Sequence, residues 1–209
     1  MRIPGITTVT RDTSFDDTRR YNSGGIRLHY PKHTGVISGL KDGILLEAGY
    51  DTTTPNIPCA ISSWAYDKAI TTAGIDIKDN RAIGVPCYDP RYTLVEKLQT
   101  ICTKFRREQV TGQLSANYMR QYYDVYCLLS NQHVKEFLNT DQYRIHKQKR
   151  FPEEDLKIPL AKNEAFLLSN ESVRASLQSR YERTRNLYYR GQPSFEEILS
   201  RINQYTSLF

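Results

Sequence analysis

Asp89-Pro90 divides this chain into two kinds of pattern, and that division limits what it can fold into. Ahead of it, apolar residues come in short runs broken by Gly and Pro. Behind it they recur every three or four residues, the period of an α-helix with one buried face. Pro also pushes the residue before it out of the helical region, so 89 is a natural stop for what precedes. Leu94, Leu98, Ile101, Cys102 and Phe105 set the first stripe, and the spacing predicts a helix over about 94–107. Thr93 and Glu96 match a capping box at its start. Lys97 and Lys104 fall together on one flank of the stripe. A lysine there keeps its stem against the core and its ammonium at a rim, the place to hold a phosphate. A second helix over about 116–130 buries Tyr118, Tyr122, Val125 and Leu129. It carries Arg120 and Asp124 one turn apart, which spacing alone reads as a surface ion pair.

The rest of the chain is punctuated more weakly. Residues 1–25 are rich in Thr, Asp, Arg and Gly and read as a loose or partner-dependent segment. Ile26 to Tyr30 and Ile44 to Tyr50 read as strands of a hairpin with a long connection, with Lys41-Asp42-Gly43 as the turn before the second. Cys59 to Ile61 and Ala82 to Tyr88 are further strands, and Ser62 or Ser63 caps a short helix through Trp64 and Ala69. Gln132 to Asn139 extends the second helix or forms a third. Arg144 to Arg150 is a basic run, read as a solvated loop with phosphate contact as the alternative. A long helix is expected from Glu171 to Tyr189, ending at Gly191. Ser194 and Glu197 open a last helix reaching about 207. The expected class is α+β: strands over residues 1–90, then a helical domain over 91–209.

Charge sharpens the contrast. The net +6 lies wholly in the second region, since residues 1–90 hold ten basic and ten acidic side chains. That bias suits a polyanionic partner such as RNA. The four cysteines, 59, 87, 102 and 127, have no Cys-x-x-Cys spacing, which suggests buried free thiols rather than a zinc site or disulfide framework. No membrane span or signal peptide is legible, so a cytoplasmic protein is expected.

The motif-bearing stretch resembles a known family. A proline-introduced Glu96-Lys97-Leu98, a downstream basic residue (Lys104), and Arg120-x-Tyr122-Tyr123-Asp124 are similar to the second half of the AbiEii/AbiGii abortive-infection toxin nucleotidyltransferases. The resemblance runs from about Ile44 to Phe209. It implies transfer of a nucleotide from an NTP to an RNA acceptor, in a toxin–antitoxin or phage-defence setting, with a cognate antitoxin. It implies that Lys97 contacts the triphosphate, helped by Lys104 and Arg120, and that Asp124 lines the same cleft. Glu47 takes the position of a metal-binding carboxylate, with Mg2+ as the cofactor. The Asp-x-Asp pair that should accompany Glu47 is missing: Gly24-Gly25 precedes none at usable spacing, and Asp16-Asp17 and Asp76-x-x-Asp79 have the wrong form. In family terms the chain starts after that motif. It is therefore expected to be incomplete or inactive alone, or completed by another chain; the alternative is a non-catalytic remnant that binds RNA, nucleotide or a partner protein. With the first family strands absent, Ile26 to Tyr30 or Ile44 to Tyr50 should be an open edge, favouring self-association.

Overall fold

A computed structural model describes residues 3–19, 22–33, 35, 42–188 and 191–209. It is a mixed α+β protein that divides into two compact units, one of residues 1–52 with 180–192 and one of residues 53–179 with 193–209.

The first unit holds an antiparallel sheet of β1 (Thr8–Asp12), β2 (Ser23–His29) and β3 (Ile44–Gly49), in that order. Alternation sorts the side chains. Val9, Leu28 and Ile44 align across the three strands, as do Arg11, Ile26 and Leu46 one pair along. The opposite face aligns Asp12, Gly25 and Glu47. Residues 8–12 are thus not loose, because β2 supplies their hydrogen-bond partners and Arg27 of β2 grips Asp12 of β1 at 2.6 Å. Ile26 is not on an edge either, since β2 is central; among the described residues β3, like β1, pairs on one side only. Gly43 precedes β3 with φ +78°, and a Cβ there would sit 2.5 Å from the Leu28 carbonyl, so only glycine fits. The expected turn residue Lys41 lies outside the described residues.

The second unit begins with β4 (Asn56–Ile61), α1 (Trp64–Ile70) and β5 (Ala82–Tyr88), the strands antiparallel. Ser63 caps α1 by accepting from the Tyr66 amide. The helical body follows: α2 (Pro90–Thr111), α3 (Tyr118–Leu128), α4 (Gln132–Phe137), α5 (Asp141–Arg150), α6 (Glu153–Leu156), α7 (Glu164–Leu167), α8 (Glu171–Glu182) and α9 (Phe195–Asn203). The division between the units falls inside α8.

α2 is longer than its apolar stripe predicts, because both ends are capped. Asp89 accepts from the Arg91 amide, Pro90 fills the first turn, and Gly112 takes the left-handed conformation at the far end. Thr93 and Glu96 therefore do not form a capping box. They lie inside the helix, where Thr93 Oγ1 donates to the Asp89 carbonyl and Glu96 turns to other partners. Leu94, Val95, Leu98 and Ile101 are fully buried against α3, α4, α5 and α7. Tyr118 and Tyr122 of α3 are buried as well, with hydroxyls 2.9 Å apart; Tyr122 also donates to the Ala165 carbonyl at 2.7 Å. Those bonds let two phenols sit in the core without an unsatisfied hydroxyl.

Three further expectations change. Arg144 to Arg150 is helix rather than loop, because Thr140 caps α5 at the Tyr143 amide and Tyr143 and His146 bury on one face. α8 stops at Glu182 and gives way to a 3₁₀ turn at Arg185–Leu187, and α9 stops at Asn203 before another at Thr206–Leu208. Cys102 is buried as expected but Cys127 is exposed.

Candidate functional site

Packing of the α3 apolar face onto α2 brings Lys97 and Asp124 together at the rim of the second unit. Lys97 Nζ lies 2.8 Å from Asp124 Oδ2, and the two side chains are 29% and 39% exposed. The predicted Arg120–Asp124 pair along α3 does not form. Asp124 faces the lysine of the neighbouring helix, and Arg120, one turn back, is exposed with no ion pair among the described residues. An interhelical lysine already half-desolvated by packing loses less conformational freedom on pairing than a solvated arginine does. Lys104, two turns beyond Lys97, is half-buried and donates to the Ala116 carbonyl at 2.8 Å, just before α3. Burial lowers its pKa; Glu108 opposes that, and the nearby Lys97 adds to it.

The rim therefore offers Lys97 and Lys104 on α2 with Asp124 facing Lys97 and Glu108 near Lys104, and Arg120 lies one turn before Asp124 on α3. The Lys97–Asp124 bridge is a solvent-accessible pair worth at most about 1 kcal/mol. A polyphosphate bringing several negative charges competes for that amine readily.

Sequence reasoning missed a second polar group beside Lys97. Glu96 Oε1 accepts from Tyr88 of β5 at 2.9 Å and lies 3.6 Å from His146 Nε2 and 3.4 Å from Arg150 Nε of α5. Burial lowers the His146 pKa, with Glu96 pulling it the other way. The signal was the i,i+4 spacing of His146 and Arg150, hidden by reading that run as loop.

In the first unit Glu47 is exposed on β3, directly opposite Gly25, which has no side chain to share a ligand. Asp12 lies on the far side of Gly25, two strands away, and is already engaged by Ser14 and Arg27. Those bonds hold its pKa down to about 2. Asp124 is bridged to Lys97 within the other unit. Among the described residues no three His, Cys, Asp or Glu side chains gather where they could hold a metal ion. Magnesium needs several oxygens in near-octahedral array at about 2.1 Å, and this donor set does not fit it.

Two small antiparallel sheets with a C-terminal run of helices make the class α+β. The comparison with known families is direct: residues 2–201 match the family described as "Nucleotidyl transferase AbiEii toxin, Type IV TA system". The chain belongs to the AbiEii family, whose role is that of a nucleotidyltransferase-type toxin of a toxin–antitoxin system. No curated protein and no solved structure matches. Among the described residues no helix is long and apolar enough to cross a membrane.

Proposed function

We propose that this chain binds a nucleoside triphosphate at the α2–α3 rim and acts in nucleotidyl transfer to an RNA acceptor only when carboxylates from outside these 209 residues complete the site. What carries the reading is the meeting of Lys97 and Asp124 across two helices, with Lys104 and Arg120 alongside. Lys97 binds phosphate oxygens once they displace Asp124 from its amine, and Arg120 and Lys104 supply further positive potential. Residues 91–209 contribute the phosphate cations; Glu47 on its own does not make a Mg2+ site, and the carboxylates for one come from elsewhere. An Asp-x-Asp segment added along the open edge of β3 places both its carboxylates on one face, because strand side chains alternate. The same edge serves self-association if no such segment is present. RNA contact falls to the basic helical region, α5 included, whose last turn holds Lys147, Lys149 and Arg150. The cognate antitoxin is a further partner.

The missing donor set favours a second reading, in which the chain binds nucleotide, RNA or a partner protein and performs no transfer. Calorimetric titration with each of the four NTPs tests the binding step. Saturable binding that Lys97→Ala abolishes supports the rim. Equal binding by the variant refutes it. Transfer to RNA, assayed with and without a polypeptide supplying Asp-x-Asp, separates the two readings.

A further inference from the structure

We infer that these 209 residues take their triphosphate as the metal-free anion, so that Mg2+ weakens the binding instead of enabling it; this rests on the triphosphate reading of the Lys97 rim. A divalent cation strengthens nucleotide binding when the protein offers it carboxylates, because the ion then bridges two negative partners. Among the described residues neither unit offers that. Around Glu47 the facing position is Gly25, and the next carboxylate along the row, Asp12, is turned to Ser14 and to the Arg27 guanidinium. At the rim, Asp124 is bridged by Lys97, Glu108 beside Lys104 is buried and accepts from the Ser115 amide, and Lys104 and Arg120 are cations. No group of three metal-binding side chains exists elsewhere among the described residues.

Charge then decides the sign. Mg2+ on a triphosphate cancels two of its negative charges and occupies the oxygens that Lys97, Lys104 and Arg120 would contact. With no protein ligand in return, the complex loses attraction and gains nothing. The same rim should accept inorganic triphosphate as well as a nucleotide, since what it reads is the phosphate chain.

Isothermal titration of ATP, and of inorganic triphosphate, into the full chain is compared in EDTA and in excess MgCl2 at equal ionic strength. The expected result is affinity higher in EDTA by about tenfold, falling steeply with added NaCl. A parallel titration of Mn2+ into the protein alone, followed by its electron paramagnetic resonance signal, should show no saturable site. Tighter binding in MgCl2, or a saturable Mn2+ site, overturns the inference while leaving the triphosphate reading intact. Binding that is absent in both buffers, from a protein whose circular dichroism shows it folded, overturns the triphosphate reading and the inference with it.

Discussion

Lys97 of α2 and Asp124 of α3, 27 positions apart in the chain, stand 2.8 Å apart at the rim of one helical interface. Neither residue makes this contact by local spacing. It exists because the apolar faces carrying Leu94, Leu98, Tyr118 and Tyr122 bury against one another and leave the charged flanks side by side.

Asp124→Asn should cost stability less than about 1 kcal/mol, since both groups are solvent-accessible. It should tighten triphosphate binding about threefold or more, because the lysine no longer shares its charge. Urea unfolding and calorimetry check the two effects. Weaker binding would mean that Asp124 touches the ligand or holds Lys97 in a required position.

Leu98→Ala, at a fully buried position of α2, should destabilise by about 2–5 kcal/mol. Arg120→Ala on an exposed turn should stay within about 0.5 kcal/mol. Denaturant midpoints with unchanged slopes would confirm both, and a large loss for Arg120→Ala would mean that Arg120 makes a structural contact beyond those among the described residues.

Asp89→Ala removes the cap that accepts from the Arg91 amide and the buried partner of the Arg91 guanidinium. A cap loss of about 0.5–2 kcal/mol is expected, and the stranded arginine adds to it. Thr93→Ala, at the position sequence alone assigned to the cap, should cost less. The ordering of the two melting temperatures decides where the helix begins.

His146 sits against Tyr92, Tyr88, Glu96 and Arg150, with Lys149 near, and its folded pKa lies below the ordinary value of 6.5 mainly through burial. The unfolded chain therefore takes up this proton at higher pH than the folded one. The contribution is complete above about pH 6.5 and declines as the pH falls toward the lowered value. His146→Gln should flatten that part of the stability profile. A profile that declines equally in the variant would assign the loss to other groups.

The helical half was legible in the sequence because its signals are local and redundant. The stripe of Leu94, Leu98 and Ile101 and the capping Ser194 both mark helices that form. Less legible were the places where distant residues decide. β1 reads as polar coil until β2 offers it a ladder and Arg27 finds Asp12. Thr93 with Glu96 satisfies a capping pattern, yet Asp89 and Pro90 start the helix a turn earlier and release Glu96 to Tyr88 and α5. At the site, the residue identities Lys97 and Asp124 came from motif resemblance, whereas their contact came from helix packing. Arg120 was assigned the partner that packing gave to Lys97.

The interleaving of the two units has a consequence for how the chain is made. The first unit draws on residues 1–52 and 180–192, and the second on 53–179 and 193–209. During synthesis from the amino end, the strands of the first unit emerge early but must wait for a segment more than a hundred residues later. The second unit in turn waits for α9, whose Phe195, Ile198, Leu199 and Ile202 are buried. Neither unit can close while most of the polypeptide is still being threaded out. The first unit reaches its final form only once residues 180–192 are out, and the second only once α9 is, and cleavage of the connection inside α8 would leave each with part of its chain on the wrong fragment.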